Sequence, residues 1–404
     1  MTMKPFEKLV SRVEAERIID ANVNHISRME DVPLEESAGR VLAANVTAEI
    51  NVPPFRRASM DGYAVKAKDT MDASESKPKR LRLIGARHAG ESIDINVRDN
   101  ECVEIATGSP LPKGTDAVVM VEYTRLSGNT VEIMCEAELG ENVADEGEDI
   151  KSGEIVAKAG EVLTPGKLGA AAALGLAALT VYAKPRVAIY STGNEIVPQG
   201  GTAKPGQIYD INSCTLTSVV QMSGCIPVRK GLVVDNPQEL LAAVKEVAAF
   251  DIAVFSGGSS VGSKDLLAAT VEEVGVVHFH GLQVKPGKPT LFGTVQGKPV
   301  FGMPGNPTSC LTNAYVFLIP VLRKIAGLPS VEMRRVRAIL SGAISSDGDR
   351  EVFYPVRVEG ESAVPVFRKG SNITSMSHAN GLVIIPIGTK RIEKGTEVEV
   401  KLLP

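Results

Sequence analysis

The sequence predicts a multidomain α/β plus β protein, and three observations predict it. From 184 to 328 strand-like and helix-like runs alternate, as in a central doubly wound sheet covered on both faces. From about 51 to 141 the chain reads as short alternating β runs between turns rich in Gly, Pro and Asp. After Pro329 it is β-like again, as in a small barrel or sandwich. A length of 404 residues suggests two to four domains.

The elements follow in order. Residues 5–28 carry helical spacing at Phe6, Leu9, Val10, Val13, Ile18 and Ile19. PLEESAGRVLAANVTAE then reads as a short strand, a turn and a further helix or strand, ended by Pro53 and Pro54. LRLIGA, CVEIAT, DAVVMVEY and TVEIMCEA are the β runs of the second region. Residues 168–183 (LGAAAALGLAALTVYA) are too few to span a bilayer, which takes about 20 residues. They read as a buried helix and a strand, while GENVADEGEDIKSGEIVAKAGEVLTPGKLGAAAALG (140–175) returns to turns and then a helix that packs back on the N-terminal helix, so that the β region is an insertion. In the α/β part VAIY, IPVRKGLVV, DIAVF and KPVFGM are strands. CTLTSVVQMSG, NPQELLAAVKEVAAF, DLLAATVEEVG and TSCLTNAYVFLIPVLRKIAG are helices, the second capped by Asn236 with Pro237 in its first turn.

Charge and cysteine usage exclude some classes. The 44 basic and 48 acidic residues give a net charge of −4, which argues against a nucleic-acid surface spread over the chain. The five cysteines are odd in number and form no C-x-x-C, against a disulfide framework or a zinc site. MTMKPFEKLVSRVEAERIID lacks the apolar core of a signal peptide. The expectation is a cytoplasmic protein without nucleic-acid or membrane partners.

Four loops carry the chemistry: STGNEIV (191–197), FSGGSSVGSKD (255–265), VKPGKPTLFG (284–293) and MPGNPTSC (303–310). Each is rich in Gly, Ser or Pro and falls where a parallel sheet places its ligands. FSGGSSVG matches neither a Walker loop nor G-x-G-x-x-G. It still reads as an anion cradle, because glycines let backbone N–H groups turn inward and serines add donors. Thr308 and Ser309 open a helix, and Lys285 and Lys288 add compact positive charge. Any one of these loops alone is an ordinary turn; four at one sheet end make a site.

Carboxylates are mixed into this basic setting: Glu195, Asp235 and Asp265, with Asp149 and Asp210 beyond them. Such acids hold a divalent metal that bridges phosphates, bind the donor edge of a ring, or move protons. Asp235 and Asp265 each have a capping alternative; Glu195 has the weakest structural excuse. Met60-Asp61-Gly62-Tyr63 and ATGSPLP (106–112), with Thr107, read alone as turns. His278 and His280 alternate on a strand without a third ligand nearby. Cys102, Cys214, Cys225 and Cys310 read as core or helix residues, and no spacing supports a Ser–His–Asp set.

SMDGYAV, ATGSPLPKGTDAVVMVE, GEDI, STGNE, GQIYDIN, SGGSSVGSKD, KPGKP and MPGNP stand in an order that resembles the MoeA and gephyrin E-domain family, the molybdopterin molybdotransferases. The resemblance implies insertion of molybdate or tungstate into adenylylated molybdopterin with release of AMP, assisted by magnesium. It implies a discontinuous linker domain (1–50 and 142–183), a β-rich insertion (51–141), an α/β domain similar to molybdopterin adenylyltransferases (184–328) and a C-terminal β-barrel (329–404). It also implies a homodimer whose active site is shared between subunits, with transient contacts to the adenylyltransferase and to cofactor-accepting enzymes. By motif, catalytic work falls on Asp61, Glu195, Asp235 and Asp265, with Glu195 and Asp265 as metal ligands. Substrate binding falls on Thr107, Asp149, Ser256, Gly257, Gly258, Ser260, Gly262, Lys285, Lys288, Pro304, Pro307 and Ser309. The chain departs from the family pattern twice. Asn142-Val-Ala-Asp-Glu146 lacks an arginine before GEDI, and Phe353-Tyr-Pro355 lacks one in the first barrel hairpin. A scaffold of the same fold and an adenylyltransferase-like enzyme are the alternatives.

Overall fold

A computed structural model describes residues 9–88, 90, 95–234, 236–257, 264–367 and 372–404, the side chains of 264 and 265 excepted. The chain divides into two compact units, one of 31–38 and 42–180, the other of 1–30, 39–41 and 181–404.

The N-terminal helix α1 (Arg12–Asn22) starts at Ser11, whose hydroxyl accepts from the Glu14 N–H. It buries Ala15 and Ile19 in one core with Phe317 and Val321. That face packs on the α/β part of its own unit.

The smaller unit is built on a six-stranded sheet of β1 (Gly62–Val65), β2 (Lys79–Arg87), β3 (Glu101–Ile105), β4 (Ala117–Met120), β5 (Thr124–Ser127) and β6 (Thr130–Ile133). Its order is β4-β1-β3-β2-β6-β5. Tyr63, Leu81, Val119, Val131 and Ile133 form its core. Helix α2 (Pro165–Ala173) is the apolar segment expected to be buried, yet Ala171 is the one residue of it that is buried in this chain. Small side chains give the helix little area to bury, and Leu176 just beyond it is exposed.

The larger unit centres on β7 (Arg186–Thr192), α3 (Ile211–Met222), β8 (Ile226–Val233), α4 (Pro237–Glu246), β9 (Ile252–Ser256), α5 (Lys264–Val274), β10 (Gly275–His280), β11 (Leu291–Val295) and β12 (Lys298–Met303). The sheet order is β8-β7-β9-β12-β11-β10. Strands β8, β7, β9 and β12 are mutually parallel, as expected. β11 runs antiparallel to both of its neighbours, β12 and β10, so the sheet is mixed. Alternate residues of β7 feed two cores. Val187 and Ile189 meet Leu216 and Val219 of α3, while Ala188 and Tyr190 meet Leu240 and Val244 of α4. Tyr190 stacks on Phe255 with ring centroids 4.5 Å apart. Helix α4 is capped by Asn236 Oδ1, which accepts from the Gln238 N–H at 2.8 Å.

The closing helix of this part is split. It runs as α6 (Pro307–Asn313), a π turn over Ala314–Leu318 and α7 (Ile319–Ile325). Pro320 has no N–H to give the preceding turn, which accounts for the break in the ladder.

The C-terminal part has β13 (Arg335–Leu340), β14 (Glu351–Glu359), β15 (Ser362–Pro365), α8 (Ile373–His378), β16 (Gly381–Ile385) and β17 (Glu397–Leu402). Five of these strands pair in the cycle β14-β15-β13-β17-β16-β14, a closed barrel with Val356, Val383 and Val400 inside. The short strand Val284–Lys285 joins the barrel in parallel with β14.

Candidate functional site

The parallel strands end in step. Ser191 of β7 lies opposite Ser256 of β9, and Ser256 opposite Met303 of β12. The chain therefore leaves the sheet at nearly one level at three neighbouring places, into the loops that start at Gly193, Gly257 and Pro304. The KPGKP loop reaches the same edge by another route, since Leu291 of the antiparallel β11 pairs with Gly302.

A cavity of about 440 Å³ lies at this edge. STGNE lines it with Ser191, Thr192 and Glu195, and the β9 loop with Ser256 and Gly257. Pro289 of KPGKP, the 304–307 turn and Ser309 close another side. Ile208–Asn212 completes the wall. Gly257 has φ +93°, and a Cβ there would stand 2.1 Å from the Thr192 carbonyl oxygen, so this corner admits no side chain. Gly193 has φ +133°, and the Glu195 carboxylate folds back to within 2.8 Å of where its Cβ would be.

Asp210 ties the site to the helix behind it. Its Oδ1 accepts from the Ser213 N–H at 3.0 Å and its Oδ2 from the Ser191 hydroxyl at 2.6 Å. Gln199 Nε2 donates to the Asp210 carbonyl. Asn212 Nδ2 donates to the Gly305 carbonyl at 2.9 Å, pinning the MPGNP turn to α3. Asn306 Oδ1 accepts from the Ser309 N–H at 3.3 Å and caps α6. Asn313 Nδ2 donates to the Gly287 carbonyl at 3.0 Å and to Thr290 Oγ1 at 2.7 Å, which fixes the KPGKP loop. Two lining atoms are buried without a hydrogen-bond partner among the described residues, Ser256 Oγ and Asn212 Oδ1. Native buried polar atoms rarely stay so, and a bound group is one way to satisfy them.

The expected residues thus divide. Glu195, Ser256, Gly257, Pro304, Pro307 and Ser309 come together around the cavity. Lys285 is not among the lining residues; its ammonium lies 2.5 Å from Asp347 Oδ2 of the barrel. Lys288 directly precedes the lining Pro289. In the smaller unit Asp61 and Thr107 meet: Asp61 Oδ1 accepts from the Thr107 N–H at 2.7 Å and from its hydroxyl at 2.8 Å. Those two bonds hold the Asp61 carboxyl below the usual carboxylate range. Asp149 is exposed in another turn, its N–H on the Val52 carbonyl. Asp235, Gly258, Ser260 and Gly262 lie outside the described residues. Asp265 falls in the first turn of α5, its side chain likewise outside them.

His278 Nε2 lies 3.1 Å from Thr294 Oγ1 and its ring stacks on Phe292. Burial pushes the thiols of Cys102 and Cys225 up to about 12, and that of Cys310 up as well. Sequence reasoning missed Asn212, whose partner is 93 residues away. Its signal was present in GQIYDIN, where an Asn sits two places after a helix cap.

Three family models match consecutive parts of the chain. Residues 10–175 match the MoeA N-terminal region (domain I and II), 188–324 the "Probable molybdopterin binding domain", and 337–403 the MoeA C-terminal region (domain IV). A Mycobacterium tuberculosis protein named molybdopterin molybdenumtransferase 2 is 32% identical over 96% of this chain and 98% of its own length. A Nostoc protein named molybdopterin molybdenumtransferase is 31% identical over 100% of this chain and 96% of its own. Among solved structures, a molybdopterin biosynthesis MoeA protein from Pyrococcus horikoshii has a TM-score of 0.79 at 32% identity, covering 98% of this chain and all of its own.

Proposed function

Since the chain belongs to the MoeA family, we propose that the cavity at the carboxyl ends of β7, β9 and β12 binds adenylylated molybdopterin and molybdate. The protein is a molybdopterin molybdenumtransferase, a transferase of molybdenum cofactor biosynthesis. Two buried atoms carry the reading of the cavity, Ser256 Oγ and Asn212 Oδ1, which line it without partners among the described residues. Ser256 suits a phosphate oxygen, to which its hydroxyl can donate. Asn212 Oδ1 accepts only, so it suits an N–H of a purine or pterin ring. Ile208 and Tyr209, lining residues that are 54% and 48% exposed, offer a flat apolar surface for such a ring.

In this reading Lys285 and Lys288 neutralise the phosphates and the oxyanion, and the start of the helix opened by Thr308 and Ser309 favours negative charge. Water attacks the phosphoanhydride and AMP leaves, freeing the molybdopterin phosphate; the two dithiol sulfurs then bond to molybdenum and displace one oxide, which leaves as water with the two thiol protons. Glu195 is assigned to orient the attacking water, an assignment that its position in the cavity lining supports. Magnesium binds through one or two carboxylates together with substrate phosphates and water, and Glu195 offers one carboxylate at the cavity. Glu195 and Asp265 would hold it, and it would supply charge neutralisation on the phosphate oxygens. Asp61, Asp235, Thr107 and Asp149 are assigned to the same reaction by motif. Tungstate, with the charge and nearly the size of molybdate, is expected to be accepted.

The coarser surroundings are part of the proposal. The four-domain division at 1–50 with 142–183, 51–141, 184–328 and 329–404 is supported by family-model boundaries at 175/188 and 324/337. A homodimer is supported by the exposed apolar α2. A reducing cytoplasm is supported by five free cysteines. Among the described residues no helix is long and apolar enough to cross a membrane. The test is AMP release from adenylylated molybdopterin with molybdate, with tungstate and with neither. The proposal expects release stimulated by an oxyanion. A scaffold releases none, and an adenylyltransferase makes the adenylate from ATP instead.

A further inference from the structure

Lys285 of the KPGKP loop holds its ammonium in an ion pair. Its Nζ lies 2.5 Å from Asp347 Oδ2, and it is not among the residues that line the cavity, although Pro289 of the same loop is. The contact is built rather than incidental. Val284 and Lys285 pair with Glu351 and Val352 of the barrel. Gln283 Nε2 donates to the Asp349 carbonyl at 3.2 Å, and the Glu351 N–H to the Gln283 carbonyl at 3.1 Å. The turn that presents Asp347 is itself held, since the Gly348 N–H donates to Ser346 Oγ at 3.0 Å and the Ser346 N–H to the Lys390 carbonyl at 2.8 Å. Lys285 holds the Asp347 carboxyl below its usual range.

From this geometry we infer that Asp347 is a positioning residue that holds Lys285 of the KPGKP loop in the ligand-free protein and yields it to the incoming polyanion. This rests on the reading of the cavity as the site of a phosphate-bearing substrate. The pair can be exchanged because both side chains are substantially exposed, 42% for Lys285 and 62% for Asp347. Water and salt screen such a pair, and a di- or trianionic ligand outbids a single carboxylate for the ammonium. Arg350 Nη2 lies 4.0 Å from the same Asp347 oxygen, so the carboxylate keeps a cationic neighbour after Lys285 turns away. Substrate binding thereby swaps one counter-ion for another, and Asp347 sets how tightly the site holds anions.

Calorimetric titration with AMP, and with adenosine as the uncharged control, tests the assignment. At low salt Asp347→Asn should bind AMP about two- to fivefold more tightly than the wild type, the range of an exposed ion pair, with adenosine unchanged. Asp347→Glu should return the wild-type value. In a Lys285→Met background the Asn substitution should have no effect, and near 1 M salt the gain should vanish. Structural damage cannot tighten binding, so the direction is diagnostic. Unchanged or weaker AMP binding in Asp347→Asn overturns the assignment, as does equal tightening in the Lys285→Met background. A wild type that binds no AMP overturns the site reading, whereas a wild type that binds without tightening in the variant overturns the role of Asp347 alone.

Discussion

The Ser191 hydroxyl donates a 2.6 Å hydrogen bond to Asp210 Oδ2, joining the end of a central strand to the cap of α3. The other oxygen of that carboxylate satisfies the Ser213 N–H, so one side chain both starts the helix and fixes the cavity wall. Asp210→Ala should lose about 1–2 kcal/mol of stability, the usual worth of a helix cap, and leave the Ser191 hydroxyl without its partner. Urea unfolding checks the first effect. Binding of AMP checks the second, and should fall more than in Ser191→Ala.

Gly257→Ala meets both a positive φ and a 2.1 Å approach to the Thr192 carbonyl. The β9 loop must move away, by more than the ~1 kcal/mol that a compatible substitution would change. We expect AMP binding to be lost while the far-UV circular dichroism stays that of the wild type. A variant that binds normally would remove this corner from the site.

Asp251 sits at the opposite end of the sheet, 6% exposed. Burial alone would raise its carboxyl, but Arg28 at 3.1 Å and the Arg186 N–H at 2.8 Å overcome this and lower it. A carboxyl lowered by folding stabilises fully above its unfolded value, near 3.9, and loses that contribution as pH falls through the folded value. Asp251→Asn should therefore be less stable than the wild type by about 1–3 kcal/mol at pH 7. The gap should close below about pH 4. A gap that persists at pH 2 would contradict this account.

Cys102, Cys225 and Cys310 are buried, with thiols raised by burial, whereas Cys214 on α3 is exposed. Brief maleimide treatment of the native protein should label Cys214 first, and peptide mass spectrometry should find the three buried thiols unlabelled until denaturant is added.

Much of this was legible from residue order, because local chemistry wrote it. Asn236-Pro237 announces α4, and Gly, Ser and Pro after each apolar run announce loops whose common level follows from the Ser191–Ser256–Met303 register. What was not legible depends on partners distant in the chain. The antiparallel β11 was read as the end of the 284–293 loop, because its short LFGTV run follows a Gly- and Pro-rich stretch and its strand partners are set by the fold. The Ala-rich α2 read as buried because composition reports apolarity and not what covers it. Asn212 with Gly305, Asp61 with Thr107 and Lys285 with Asp347 are meetings across 93, 46 and 62 residues, which only the fold brings about.

The most direct measurement is a crystal structure of the protein with adenylylated molybdopterin. The account predicts a phosphate oxygen within hydrogen-bonding distance of Ser256 Oγ and a ring N–H on Asn212 Oδ1, with the ring against Tyr209. A ligand seated elsewhere, with both of those atoms still unpartnered, would contradict it.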